Sequence, residues 1–454
     1  MICTIDPTNG AALERLPYMD AREVDAKLAA SERAARAWAK TSVDDRAALL
    51  TATAAKLREL RDELAMTAVR EMGKPIVQAR AEIEKCAWCC EFFCEKGPGM
   101  LADIDAPSSA SRSYVAFRPL GTLLAIMPWN YPYWQVFRAA APAILAGNAV
   151  LLKHSDNTTR CALEIERVFR EAGAPAGLFT ALLVSNEDID ERIADPRISA
   201  VTLTGSERAG VAVASAAGAA LKKCVLELGG SDAFVVLADA DIERAAQTAV
   251  TARFQNNGQS CIAAKRFIVE NSVYDAFLDR FVALTSAQKI GDPTDETTQI
   301  GPVARGDLLK TLHEQVRQSV EAGAKIALGG RPIDRPGNYY EPTIVGDVVP
   351  GMRLFDEETF GPAAAVIRAR NADDAIALAN KSSYGLGFSI WTRDTAAAEA
   401  LAPKVEAGAV FVNGMVASDP RLPFGGIKKS GYGRELSVYG VHEFVNVQTV
   451  WVGL

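Results

Sequence analysis

Acyl and hydride chemistry needs a nucleophile, a base and a donor for developing negative charge. The chain offers a candidate for each beside a turn. The segment Phe254-Gln255-Asn256-Asn257-Gly258-Gln259-Ser260-Cys261 ends on a cysteine three residues after a glycine. Glycine lets the backbone turn tightly, so the cysteine that follows presents both its sulfur and its own N–H to one substrate atom. The same residues also suit a buried structural thiol. Leu226-Glu227-Leu228-Gly229-Gly230 places a carboxylate at the end of an apolar run. Desolvation there raises a carboxyl pKa toward the range of a general base; a carboxylate tied to the glycine turn is the plainer alternative. Pro128-Trp129-Asn130-Tyr131-Pro132 fixes Asn130 between two prolines, where its side-chain N–H could meet an oxyanion or simply shape a loop. Gly205-Ser206-Glu207-Arg208-Ala209-Gly210 follows an apolar strand and opens a helix, a geometry that receives phosphate through backbone N–H groups. It is neither a Gly-x-Gly-x-x-Gly fingerprint nor a P-loop.

The elements that must position these residues alternate between strand and helix. Residues 20–100 read as helices, broken at Gly73-Lys74-Pro75. Residues 101–119 read as an exposed β arm. From 120 onward, strands at 121–127, 149–153, 200–204 and 224–228 are each followed by a helix or a glycine turn, the rhythm of a parallel sheet covered on both faces. A second such region runs from 231 to 431, with strand candidates at 267–270, 363–367 and 410–413. The last segment, Val445–Val452, alternates like a strand and needs a partner, either the arm or a neighbouring subunit.

Composition narrows the class. With 454 residues the chain exceeds one compact core. A hydrophobic fraction of 49% with 23% charged residues is that of a globular protein, and a net charge of −7 argues against a general nucleic-acid binder. No apolar run reaches the roughly 20 residues of a membrane span, and the start lacks a signal pattern, so a cytoplasmic protein is expected. Eight cysteines are expected to be free thiols. Cys86, Cys89, Cys90 and Cys94 fall in one helix, with Cys86, Cys90 and Cys94 expected on one apolar face rather than around a metal. The three histidines form no metal or triad pattern, and no metal is expected.

Taken together, the four turns resemble the aldehyde dehydrogenase superfamily over essentially the whole chain. The match extends to Glu358-Thr359-Phe360-Gly361-Pro362 and to Pro423-Phe424-Gly425-Gly426 running on to Ser430-Gly431-Tyr432-Gly433-Arg434-Glu435. The resemblance implies an α/β fold. Residues 1–100 and 120–229 would form a Rossmann-like cofactor domain, 230–431 a second α/β catalytic domain, and 101–119 with 432–454 an oligomerisation arm and tail. It implies that the Cys261 thiolate attacks an aldehyde, with Asn130 and the Cys261 N–H holding the oxyanion. After hydride transfer to NAD(P), Glu227 would activate the water that hydrolyses the thioester. Cofactor contacts would come from Trp129, Lys153, Asp156, Gly205, Ser206, Glu358 and Phe360. A carboxylate at Asp156 accepts from a ribose 2′-hydroxyl and repels a 2′-phosphate, which favours NAD with NADP possible. A homodimer or homotetramer is expected.

Three departures stand out: Ser231 and Ala139 where many members have Lys, and His154 where Pro is usual. Arg138, eight residues after Asn130, matches the arginine of succinate-semialdehyde dehydrogenases and would pair a distal carboxylate bidentately; a structural ion pair is the alternative. Gln255 stands where one branch has a second arginine, so Arg421 with Ser418 is expected to supply that charge. The peptides around Glu227-Leu228-Gly229-Gly230-Ser231 and Lys428-Lys429-Ser430-Gly431 are similar to a bacterial succinate-semialdehyde dehydrogenase subgroup. Oxidation of succinate semialdehyde to succinate is therefore expected. Glutarate semialdehyde, broad specificity and a noncatalytic binding role remain the alternatives.

Overall fold

A parallel strand flanked by others on both sides has no solvent face, and the central runs of this chain are apolar at nearly every position. The computed structural model describes residues 1–453, and it folds these runs into two sheets. In chain order, the elements that matter for function are helix α1 (Ile76–Met100), strand β1 (Arg112–Pro119), β2 (Thr122–Met127), α2 (Trp134–Leu145), β3 (Ala149–His154), β4 (Phe179–Ala181), β5 (Ile198–Thr204), α3 (Glu207–Ala219) and β6 (Lys223–Glu227). They continue with β7 (Asp232–Val236), α4 (Ile242–Phe254), β8 (Ala264–Glu270), β9 (Lys325–Leu328), β10 (Thr343–Gly346), β11 (Ala363–Ala369), β12 (Gly387–Trp391), β13 (Ala409–Val412), β14 (Gly431–Tyr432) and β15 (Val445–Val452).

The first sheet has six strands in the order β14-β6-β5-β2-β3-β4, and the second has seven in the order β9-β10-β11-β8-β7-β12-β13. All neighbours are parallel except β14 on β6 and β9 on β10. Every residue of α2 is buried, including the polar Gln135 and the charged Arg138. Among the described residues no helix is long and apolar enough to cross a membrane.

The predicted helical region resolves into four helices, Ala21–Trp38, Val43–Glu59, Arg61–Met72 and α1. Gly73 ends the third in the left-handed region at φ 75°, where a Cβ would be strained. The cysteine face of α1 departs from expectation. Cys86, Cys89 and Cys90 are buried, whereas Cys94 is only partly so and touches Thr51 Oγ1 at 3.0 Å. Steps of four residues drift round a 3.6-residue turn, so Cys94 is rotated by about 80° from Cys86 and leaves the core.

The C-terminal strand finds its partner within the chain. β15 pairs antiparallel with β1, from Val445 opposite Pro119 to Val452 opposite Arg112, and Ile104–Asp105 adds to the far side of β1.

Candidate active site

Parallel strands of one sheet end on the same side, so the turns that follow them converge. β2 runs into Pro128–Pro132, β3 into Ser155–Asp156, β5 into Gly205–Ser206 and β6 into Leu228–Gly230. Opposite them lies the turn that joins α4 to β8 and carries Cys261. Together they enclose a cavity of about 360 Å³ lined by Trp129, Asn130, Ser206, Cys261, Glu358 and Phe360, among others.

The Cys261 turn is built from conformations that most residues avoid. Asn256, Asn257 and Gly258 have φ of 54°, 58° and 72°. Asparagine tolerates this region better than most residues, and its bonds here fix it. Asn257 Nδ2 donates to the carbonyls of Gly73 (2.8 Å) and Pro302 (2.9 Å), and its Oδ1 accepts from Gly301 N–H at 2.7 Å. A Cβ at Gly258 would stand 2.3 Å from the Gly361 carbonyl oxygen. Arg253, fully buried at the end of α4, donates to the carbonyls of Gly258 (2.8 Å), Thr359 (3.3 Å) and Gly361, and so locks the cysteine turn to the Glu358–Pro362 turn. Lys265, at the start of β8, donates to the Ser260 (2.7 Å) and Cys261 (2.5 Å) carbonyls. Its Nζ lies 3.5 Å from Glu358 Oε1. Sequence reading missed both cations. The signal available for Lys265 was a lysine, followed by Arg266, at the start of a strand whose centre is apolar.

Cys261 is partly buried, and desolvation pushes its thiol up to about 12, against the opposing pull of the Lys265 and Arg138 charges. The resting group at neutral pH is the thiol. Asn130 is buried, and its Nδ2 donates one hydrogen to the Gln259 carbonyl at 3.0 Å. Its other amide hydrogen remains for an oxyanion at Cys261. His154 explains its own departure from the usual proline. Ser155 N–H donates to its Nδ1 (2.9 Å), so Nε2 carries the hydrogen and donates to the Pro132 carbonyl (2.9 Å). Burial lowers its pKa to about 4, so a neutral ring ties β3 to the Asn130 loop.

Glu227 is buried at the end of β6, and neither carboxylate oxygen has a hydrogen-bond partner among the described residues. Its pKa is raised well above the carboxylate range, first by burial and then by the charge of Glu435. The antiparallel β14 brings this second carboxylate in, with Gly431 opposite Glu227. Arg138 on α2 forms a buried ion pair with Glu435, donates to Thr204 Oγ1 at 3.2 Å and lies over the Phe424 ring at 4.4 Å.

Of the cofactor candidates, Trp129, Gly205, Ser206, Glu358 and Phe360 line the cavity, whereas Lys153 and Asp156 do not. Ser206 caps α3, accepting from Ala209 N–H at 3.3 Å, and the first N–H groups of this helix have no intrahelical partner. Glu358 Oε1 accepts from Gly230 N–H at 3.0 Å, and a Cβ at Gly229 would lie 2.5 Å from the Glu358 carboxylate. Trp129 and Phe360 meet edge to face at 5.6 Å. Lys153 Nζ lies 3.1 Å from Asp156, which also accepts from Tyr18 Oη at 2.6 Å and raises that phenol to about 12. A helix N-terminus for phosphate, two carboxylates for ribose hydroxyls and a cleft reaching Cys261 fit a dinucleotide.

The expected substrate residues are less united. Ser418 is buried, and its Oγ accepts from Trp134 Nε1 and from Lys85 Nζ, each at 2.9 Å. Arg421 points to solvent and pairs with Asp419 at 2.5 Å, so its charge is engaged away from the cavity. Arg138 faces Glu435 as described.

Comparison with known proteins matches this arrangement. The aldehyde dehydrogenase family profile covers residues 1–450. The chain is 50% identical over 448 residues to the succinate semialdehyde dehydrogenase [NAD(P)+] Sad of Escherichia coli (strain K12), covering 99% of this chain and 97% of that one. It is 46% identical to a succinate-semialdehyde dehydrogenase [NADP(+)] of Mycobacterium tuberculosis, over 99% of both. Among solved structures, succinic semialdehyde dehydrogenase of Streptococcus pyogenes in complex with NADP+ superposes with a TM-score of 0.98 at 35% identity, covering all of both chains. An NAD-dependent aldehyde dehydrogenase of Sinorhizobium meliloti gives 0.96 at 32%, covering 100% of this chain and 91% of that one. With the family profile spanning residues 1–450 and Cys261 and Asn130 lining one cleft, the chain belongs to the aldehyde dehydrogenase family.

Proposed function

We propose that this protein oxidises succinate semialdehyde to succinate with NAD(P)+. The observation that carries the reading is the single cavity shared by Cys261, Asn130, Ser206 and Glu358, in a chain about half identical to succinate-semialdehyde dehydrogenases along its full length. Cys261 loses its thiol proton to solvent water, and Sγ forms a bond to the aldehyde carbon as the C=O π pair moves to oxygen. The free Asn130 amide hydrogen and the Cys261 N–H receive the oxyanion, which also lowers the cost of forming it. A nicotinamide bound beside Phe360 supplies the hydride acceptor. Glu227 takes a proton from the water that cleaves the thioester, for which its raised pKa suits it.

The first sheet with its helices serves as the cofactor unit, and the second sheet presents the cysteine. Ser206 and the α3 N-terminus hold the pyrophosphate, while Glu358 and Lys153 hold the two riboses. Because Asp156 is already matched by Lys153 and Tyr18, its repulsion of a 2′-phosphate is weakened, which supports use of both cofactors. The protein works as a homodimer or homotetramer, supported by the apolar side chains that β15 exposes, Val447, Trp451 and Val452. Steady-state kinetics with succinate semialdehyde and with butanal, using each cofactor, test the reading. A kcat/KM at least tenfold higher for the carboxylated aldehyde is expected; equal values for both would remove it.

A further inference from the structure

A strand that enters a sheet regularly turns its side chains alternately to either face. β8 does not start that way. Along β7, Asp232 pairs with Ala264 and Ala233 with Arg266, so Lys265 is the extra residue of a bulge between them. On the other side, pairing with β11 begins only at Arg266. A bulge frees one residue from the ladder and re-aims its side chain. Here it sends Lys265 back under the turn that the strand follows. The side chain is fully buried, and Nζ donates to the Ser260 and Cys261 carbonyls and lies 3.5 Å from Glu358 Oε1. Three acceptors thus surround a group that carries three hydrogens only as an ammonium. Two carbonyls alone would be served by a neutral donor; the carboxylate beside them calls for a charge.

We infer that Lys265 is a positioning residue for the nucleophile, fixing the Ser260–Cys261 backbone and supplying the positive charge that steadies the sulfur when it becomes an anion. Four charged groups act on that sulfur. Glu358, from the turn before β11, and Asp232, on β7, disfavour the anion; Lys265, on β8, and Arg138, on α2, favour it, Lys265 the more strongly. Arg138 is already held in its buried pair with Glu435. A thiolate gains most from a cation that is close and shielded from water, and Lys265 is bonded to the cysteine's own backbone. Burial and the Arg253 charge lower the pKa of the amine, while Glu358 and then Asp232 oppose them, so the acids around Lys265 sustain its charge.

A departure in the sequence fits this placement. Ser231, where many members of the family carry Lys, directly precedes Asp232 and is buried, and its Oγ has no hydrogen-bond partner among the described residues. The start of β7 therefore brings no cation to the base of the Cys261 turn, and the bulge of β8 brings one instead. This assignment rests on Cys261 being the nucleophile of the proposed reaction.

The test reads the charge at Cys261 in the free protein. Wild type, Lys265→Met, Lys265→Gln and Lys265→Arg are alkylated with neutral iodoacetamide and with anionic iodoacetate, and the rate at Cys261 is resolved from the other cysteines by peptide mass spectrometry. Met removes the charge at similar length; Gln removes it and keeps N–H donors for the carbonyls. Both should slow iodoacetamide by about tenfold at a fixed pH, equivalent to one pKa unit of the thiol. Both should also lower the iodoacetate-to-iodoacetamide ratio by roughly threefold, because the anionic reagent loses an attraction of its own. Lys265→Arg should recover most of both. If Lys265→Met does not fold, Lys265→Gln gives the same reading. A merely displaced turn would slow the two reagents alike, so an unchanged ratio in the uncharged variants overturns the charge role. Full recovery in Lys265→Gln also overturns it, since hydrogen bonding would then suffice. Either result, with wild-type oxidation of succinate semialdehyde abolished by alkylation of Cys261, leaves the proposed function standing. Alkylation of Cys261 that leaves this oxidation intact removes the nucleophile and both proposals with it.

Discussion

A thiol held at about 12 is almost wholly protonated at neutral pH, so the resting Cys261 is guarded rather than poised. Its proton must leave during the reaction, and the oxyanion donors must compensate. Glu227 is likewise held protonated more than an ordinary carboxylate, by burial and by Glu435. Its basic form grows as pH rises, and turnover that depends on it should rise with pH. In the proposed mechanism the two residues act at separate stages, which gives a clean prediction. Glu227→Gln should retain a single-turnover burst of reduced cofactor, while steady-state turnover falls by roughly 10²–10⁴-fold and the acyl-enzyme accumulates in intact-protein mass spectra. Loss of the burst in step with turnover would place Glu227 before hydride transfer instead. At this scale the sequence was informative because each of these residues sits beside a turn with few alternatives. The pairing of Arg138 with Glu435 was not legible, since the two are separated by most of the chain and meet only through β14.

Elements place these residues through buried polar clamps. The Asn130 loop is gripped from one side by His154 and from the other by α1. On the α1 side, Lys74 forms a fully buried ion pair with Glu82, and its ammonium lies 3.9 Å from the Tyr131 ring centroid. Glu82 in turn caps the start of α2. Removing one partner leaves the other charged and desolvated. Lys74→Met should therefore cost about 3–5 kcal/mol, read as a lower urea midpoint at pH 7, and Lys74→Met combined with Glu82→Gln should regain part of it. An unchanged midpoint would show that the pair contributes nothing net. The break at Gly73-Lys74-Pro75 was readable from residue types, yet the destination of Lys74 was not, because a lysine after a glycine ordinarily faces water. The central strand β7 also escaped sequence reading. Its run Asp232–Val236 follows the glycine turn so closely that it looks like the tail of that motif.

For the whole molecule, the exposed strand β15 matters most outside the cleft. Val447 and Trp451 are each 57% exposed, on a strand whose second edge is unpaired among the described residues. Such an edge is covered in an assembly or left as a hazard. Trp451→Lys should shift the protein toward smaller species in sedimentation velocity without lowering its unfolding midpoint; an unchanged distribution would exclude this strand as the contact. The sequence by itself determined the reaction class, the parallel α/β layout and the positions of Cys261, Glu227 and Asn130. The layout follows from hydrophobic periodicity written within a few residues, whereas the reaction class and the roles of Cys261, Glu227 and Asn130 follow from the family resemblance that the motifs carry together. Only the tertiary structure decided which charges are free. Arg138, which could clamp a substrate or form a structural ion pair, is paired with Glu435, and Arg421, expected to supply a second charge, is paired with Asp419. Ion pairing is a property of distance in space, and α1, α2 and the C-terminal loop come together only after the sheets have formed.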